Sequence, residues 1–152
     1  MGIAPIVGFN YGNKNDVQQK LVFSISMRFI GLASGLIFAV SLFGGSYIVR
    51  LFADDTSEVY QIAANGFAIF ACSFLFSGLN NFTSAMFTAL SNGKVSAVLS
   101  FLRTFGLLAG GILLLPRIWG ITGVWLAVPV AEGIMFVVSA ACLFHNRKRY
   151  SY

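Results

Sequence analysis

Long stretches of this sequence contain no charged residue, and these stretches limit the folds that the chain can adopt. No Asp, Glu, Lys or Arg occurs in residues 29–49 or 59–93. An uncharged apolar run of about 18 residues or more is long enough to cross the hydrocarbon core of a bilayer, which is about 30 Å thick. With 57% hydrophobic and 10% charged residues, the chain also has too few charges for the surface of an ordinary soluble domain. We therefore expect an all-α integral membrane protein.

Polar breaks in the sequence predict four transmembrane helices packed as a bundle in one membrane domain, residues 1–152. Their approximate bounds are 16–52, 57–90, 94–116 and 118–145. Capping patterns mark the first two helices, because Asn15 is followed by Gln18 and Asp55 by Glu58, and such side chains satisfy free amides at a helix start. The second helix is longer than the bilayer core requires, so we expect it to tilt or to extend beyond the membrane.

The basic residues predict how the chain is oriented in the membrane. Four spans place both ends of the chain on one side, and most of the basic residues fall on that side: Lys14, Lys20, Lys94, Arg147, Lys148 and Arg149, against Arg50 and Arg117 on the other. The positive-inside rule then predicts cytoplasmic N- and C-termini. The basic residues lie at the ends of spans and form no stripe with interleaved aromatics, so the expected partner is membrane lipid and no nucleic acid.

Two ionisable residues, Arg103 and Glu132, lie inside predicted spans. Each such residue costs about 2.5–3.5 kcal/mol on insertion scales and usually faces protein or water. Both stand at a similar distance from the break at residues 116–120, which predicts similar depths on adjacent antiparallel helices. Two interpretations stay open. One is a cation-linked switch in which protonation of Glu132 frees Arg103, and the other is a permanent ion pair.

Further candidates are polar or helix-breaking residues within the spans. Asn65, Asn80 and Asn81 carry groups that lipid cannot satisfy, so we expect them to line a cavity or to bond between helices. Pro129 lacks an amide and frees the carbonyl of Trp125, which predicts a kink that is either a functional bend or a packing feature.

Nothing in the sequence indicates catalysis or a metal site. Cys72 and Cys142 are not spaced as metal ligands. A nucleophile elbow, a phosphate loop and a metal-ligand cluster are also absent from the sequence. We expect a protein that is not an enzyme and that has no cofactor.

Four segments resemble the multidrug and toxic compound extrusion (MATE) transporters. They are Ala4-Pro-Ile-Val-Gly-Phe-Asn-Tyr-Gly-Asn-Lys-Asn15, Ser91-Asn-Gly-Lys94, the segment from Leu99 to Arg103, and Gly120-Ile-Thr-Gly-Val-Trp-Leu-Ala-Val-Pro-Val-Ala-Glu132. The resemblance covers essentially the whole chain and implies the last four helices of a twelve-helix, two-lobed transporter. Ala4 stands where the family usually has Gln, and the second predicted helix lacks the carboxylate that some members use for cation binding.

The resemblance implies a function for a longer protein of which this chain is a part. It implies export of small cationic or amphipathic drugs across the plasma membrane in exchange for protons or sodium. A missing N-terminal region or a partner chain would supply the remaining helices. The alternatives are part of a lipid-linked oligosaccharide flippase and a small membrane assembly protein that transports nothing.

Overall fold

A computed structural model describes residues 2–54 and 56–152, and the secondary structure described is helical, as predicted. The elements in chain order are α1 (Ala4–Gly12), α2 (Asp16–Arg50), α3 (Glu58–Ala71), α4 (Phe74–Ala89), α5 (Gly93–Phe101), a π-helical segment (Leu102–Leu108) and α6 (Ala109–Tyr150). The short helix α1 and the π-helical segment were not expected from the sequence.

Side-chain caps fix where the first long helices begin. The Asn15 side chain accepts a hydrogen bond from the Gln18 amide at 3.2 Å, as its capping pattern predicts. The cap of α3 is Ser57, whose hydroxyl accepts a hydrogen bond from the Tyr60 amide at 3.1 Å. Asp55, the first residue of the second capping pattern, lies outside the described residues.

The second predicted span is a bent pair of helices, and the prediction of a single helix over 57–90 is corrected. The helices α3 and α4 meet at an angle of 46°. On one side of the bend, α3 packs against α6, where Gly66 faces the Trp125 indole and a Cβ at Gly66 would overlap that ring. On the other side, α4 packs against α2, α5 and α6. These contacts join segments that are distant in the sequence, so local helix propensity does not predict the angle.

The helix α6 is divided at Gly120, which has φ 56° and ψ −135°. This is a conformation that glycine adopts without steric cost. A Cβ at Gly111 would lie 3.3 Å from the Ala127 carbonyl oxygen, so the chain folds back on itself at this break. Pro129 keeps helical backbone angles. The chain therefore departs from helical backbone angles at Gly120, and the kink at Pro129 stays a prediction.

Two continuous helical stretches are long and apolar enough to cross a membrane, and the bent pair can supply a third span. The two stretches are Asp16–Arg50 and Gly93–Tyr150. The second combines α5, the π-helical segment and both arms of α6. The structure thus confirms a helical multi-pass architecture, with two or three candidate spans among the described residues where four were predicted.

Distant parts of the chain meet at one end of the bundle. The Tyr11 and Tyr150 rings lie 5.5 Å apart, and the Asn92 side-chain amide donates a hydrogen bond to the Tyr150 hydroxyl at 2.9 Å. These residues belong to the first helix, the turn between α4 and α5, and the last turn of α6. We call this end, which also carries Lys14, Lys20, Lys94 and residues 147–149, the basic end.

Candidate functional site

Three elements bring four polar side chains together. Asn80 and Asn81 lie on α4, Arg103 lies on the π-helical segment, and Glu132 lies on the second arm of α6. The helix α4 packs against both α5 and α6, so polar groups on α4 can bond to residues on either side of the reversal at Gly120. Lipid would leave these groups without hydrogen-bond partners, which favours their burial against one another.

The Glu132 carboxylate accepts hydrogen bonds at both of its oxygens. Arg103 donates to Oε1 through Nε at 2.8 Å and Nη2 at 2.5 Å. The Asn80 Nδ2 donates to Oε2 at 2.7 Å and to the Glu132 main-chain carbonyl at 3.0 Å. The residue Glu132 is 8% exposed. A buried carboxylate is stable only when it is paired and hydrogen-bonded, and the structure meets both conditions.

Arg103 also bonds to α4, because its Nη1 donates to the Asn81 Oδ1 at 2.5 Å. Arg103 and Glu132 are 29 residues apart in the chain, which a straight helix would separate by about 43 Å. The fold-back at Gly120 brings them together, as the predicted antiparallel arrangement requires.

Arg103 lies in the π-helical segment, which is an unusual backbone. Such segments are rare and occur frequently at functional sites, because the wider turn changes where a side chain points. Here the widened turn carries the guanidinium that binds Glu132. The unusual backbone and the buried ion pair therefore occur at the same place in the molecule.

A cavity of about 890 Å³ opens next to this cluster. Asn80, Asn81 and Arg103 line it, whereas Glu132 is not one of its lining residues. Glu132 is thus one layer behind the cavity surface, and Arg103 and Asn80 lie between them. A change of charge at the Glu132 carboxylate can therefore move Arg103 and Asn80, and with them the wall of the cavity.

A cluster of hydroxyl groups forms another wall of the cavity. The Ser84 hydroxyl lies 3.0 Å from that of Ser96 and 2.8 Å from that of Ser100, and the Thr88 and Ser96 hydroxyls lie 2.7 Å apart. All four residues line the cavity. The hydroxyl cluster joins α4 to α5 and makes this side of the cavity polar.

The remaining sequence candidates lie apart from the cluster. Asn65 is exposed on α3 and is not one of the cavity-lining residues. Pro129 lies within α6, one helical turn before Glu132. The structure therefore brings Asn80 and Asn81 to the cavity, and it separates Asn65 from them.

A family model described as MatE matches residues 1–110. The match covers the opening segment, the π-helical segment and Arg103. The chain belongs to the MatE family. It is therefore part of a family of membrane transporters, and the resemblance seen in the sequence is confirmed.

A solved structure named only "protein A" is similar to this MatE chain. It is 28% identical in sequence, with a TM-score of 0.88, and the match covers 95% of this chain and 32% of that chain. This MatE chain thus spans about a third of the length of the solved chain. The comparison with curated proteins gave no match.

Sequence reasoning missed two features of this MatE site. The π-helical turn has no residue pattern that distinguishes Leu102–Leu108 from an α-helix. The hydroxyl cluster did leave a signal, since Ser84 and Thr88 are four residues apart, as are Ser96 and Ser100, and this spacing places each pair on one helix face.

Proposed function

We propose that this chain forms the last four helices of a MatE antiporter that exports cationic or amphipathic drugs across the plasma membrane in exchange for protons. The observation that carries the proposal is the buried Glu132 carboxylate, bound by Arg103, whose side chain lines the neighbouring cavity. Ionisable groups inside a membrane span usually face protein or a water-filled cavity, and they mark ion pathways and proton relays.

The lengths of the helices support four spans. At about 1.5 Å per residue, the continuous stretch Gly93–Tyr150 would be about 87 Å long, nearly three times the hydrocarbon core. Its reversal at Gly120 divides it into two spans of suitable length. With α2 and the bent pair of α3 and α4, this arrangement gives four crossings.

The bonds around Glu132 suggest how a proton is coupled to movement. Protonation of Glu132 removes the negative charge that holds Arg103, and the guanidinium itself stays charged. The contact then weakens, and the π-helical segment and the second arm of α6 are free to separate. Arg103 also contacts Asn81, so its movement changes the cavity wall on α4.

Asn80 can bond to Glu132 in either protonation state. Its amino group donates to the carboxylate in the structure, and its Oδ1 is buried without a partner. A flip of the amide would turn Oδ1 toward Glu132, where it can accept a hydrogen bond from a protonated carboxyl group. Asn80 thus offers Glu132 a hydrogen bond in both states.

The same contacts favour a proton over sodium as the coupling ion. Arg103 already neutralises Glu132, and the described residues hold no group of three or more His, Cys, Asp or Glu side chains that could bind a metal ion. A sodium ion at this position would meet a guanidinium rather than an uncompensated carboxylate, whereas a proton replaces the guanidinium at the carboxylate.

The rest of the transporter must come from a preceding region or a partner chain. Alternating access in such proteins requires two lobes that move around a central site. Of the charged side chains, only Arg103 lines the described cavity, and Glu132 neutralises it. An anionic lipid-linked oligosaccharide would find little positive charge there, so we favour drug export over the flippase alternative.

Drug efflux in cells tests the proposal. The chain is expressed with the missing N-terminal region in drug-sensitive cells, and ethidium efflux is followed by fluorescence. We expect Glu132→Gln to reduce efflux at least tenfold, since glutamine is similar in shape and cannot exchange a proton. The matched control is Glu58→Gln, which neutralises an exposed carboxylate at the start of α3 and leaves efflux unchanged. Efflux by Glu132→Gln at the rate of the control would contradict the proposal.

A further inference from the structure

A second cavity, distinct from the one beside Arg103, lies at the basic end. Its volume is about 700 Å³, and residues of α2 and α6 line it on either side of Leu79 from α4. We call this cavity the basic groove. Two basic side chains, Lys20 and Arg147, line it together with a set of apolar side chains.

The charges and the apolar residues of the basic groove are separated along its length. Lys20 lies near the start of α2 and Arg147 near the end of α6, so both belong to the basic end. Moving away from that end, Phe23 and Met27 follow on α2, whereas Phe144 and Phe136 follow on α6. At helical rise, Met27 lies about 10 Å from Lys20 along α2, and Phe136 lies about 16 Å from Arg147 along α6.

Tyr152 gives the basic groove a fixed wall. The Tyr152 ring stacks on Phe23 with centroids 4.7 Å apart, and its hydroxyl donates a hydrogen bond to the Leu143 carbonyl at 3.0 Å. The Arg147 Nε donates a hydrogen bond to the Tyr152 main-chain oxygen at 3.2 Å. This bond orients the guanidinium.

We propose that the basic groove binds one anionic phospholipid from the leaflet at the basic end. The phosphate lies between Lys20 and Arg147, and one acyl chain extends along Phe23, Met27 and Phe136. Charge complementarity identifies this occupant. A headgroup phosphate matches the two cations at the mouth, an acyl chain matches the apolar interior, and basic pockets between membrane helices bind anionic headgroups in this way.

Another transmembrane helix is a poorer match for the same groove. Lys20 and Arg147 are both exposed, and an apolar helix packed in the groove would make no use of either charge. A phospholipid supplies the negative charge and the apolar chain in one molecule. The proposal depends on the chain being embedded in a membrane and does not depend on what the protein transports.

Native mass spectrometry of the purified chain tests this proposal. The chain is released from detergent in the presence of phosphatidylglycerol, or of phosphatidylcholine with the same acyl chains, and the bound fraction is measured. We expect one phosphatidylglycerol to be retained. The double variant Lys20→Gln/Arg147→Gln should bind it about 30-fold more weakly, since each basic residue near an anionic lipid contributes a factor of about five.

Two further variants separate the groove from general electrostatic attraction. Lys94→Gln/Lys148→Gln removes two exposed charges that do not line the groove, and we expect it to retain the lipid. Ala140→Trp keeps both basic residues but fills the apolar part, and we expect it to lose the lipid. Circular dichroism establishes that each variant keeps its helical content before binding is compared.

Three results would overturn the proposal. Equal retention of phosphatidylglycerol and phosphatidylcholine would show that the protein does not recognise the anionic headgroup. Unchanged retention of phosphatidylglycerol in a helical Ala140→Trp variant would show that the lipid does not bind in the basic groove. Displacement of the lipid by millimolar inorganic phosphate would identify a site for the anion alone.

Discussion

Glu132 accepts hydrogen bonds from residues on two different elements. Two nitrogens of Arg103 bond to one carboxylate oxygen and Asn80 bonds to the other. Together these bonds connect α4, the π-helical segment and α6 through a single side chain. Neutralising that side chain therefore changes contacts on three elements at once, which is what a coupling residue must do.

The ion pair makes a prediction about stability. Replacing Arg103 by Leu leaves a buried carboxylate without its cation, and we expect the free energy of unfolding to fall by about 3–5 kcal/mol. In Arg103→Leu/Glu132→Leu both charges are gone, so the loss should be smaller than in the single variant. Unfolding in detergent, followed by circular dichroism, measures both losses. A double variant that is less stable than Arg103→Leu would show that the pair is not coupled in this way.

At the scale of the structural elements, two backbone features position Arg103 and Glu132. The reversal at Gly120 sets the arms of α6 side by side, and the π-helical segment sets the direction of Arg103. The first is required for the ion pair to form at all. The second offers a turn that can tighten to an α-helix, and tightening would rotate Arg103 relative to Glu132.

The backbone at Gly120 can be tested by substitution. A residue with a Cβ is strained at φ 56° and ψ −135°, so we expect Gly120→Ala to lower the free energy of unfolding by about 1–3 kcal/mol. The control is Gly110→Ala, because Gly110 is helical and a Cβ there meets nothing within 4 Å. This control should raise stability by up to about 1 kcal/mol. Thermal unfolding compares the two, and equal effects would mean that the reversal does not depend on glycine.

The sequence predicted the features that arise from hydropathy and charge. Uncharged runs located the apolar helices, and the equal spacing of Arg103 and Glu132 from residues 116–120 predicted their contact. Features that depend on contacts between distant segments were not predictable. The 46° bend between α3 and α4 is one such feature, and the packing of Gly66 against Trp125 is another. The exposure of Asn65 also depends on which face α3 buries. The π-helical turn also leaves no pattern in the residues.

At the scale of the whole molecule, the basic end gathers segments that are far apart in the chain. The Tyr150 hydroxyl bonds to Asn92, and the Tyr150 ring contacts Tyr11. The first helix, the α4–α5 turn and the C-terminal end therefore lie on one side of the bundle. By the positive-inside rule, this side faces the cytoplasm in the proposed topology.

Reporter fusions test that topology. Green fluorescent protein fused after residue 92 or residue 152 should fluoresce, because it folds in the cytoplasm. Alkaline phosphatase should be active when it is fused after residue 54 or residue 117, on the other side of the membrane. Activity in the reverse pattern would invert the orientation, and activity of the same reporter at residues 92 and 117 would contradict the reversal of α6 across the membrane.

The central claim is that Glu132 carries the coupling proton, and proton movement in proteoliposomes tests it most directly. The chain is reconstituted with the rest of the transporter around a trapped pH dye, and an outward gradient of a cationic drug is applied. We predict that the drug gradient drives protons inward and that Glu132→Gln abolishes this flux while the variant still binds the drug. Proton flux through Glu132→Gln at the rate of the unmodified protein would contradict the claim.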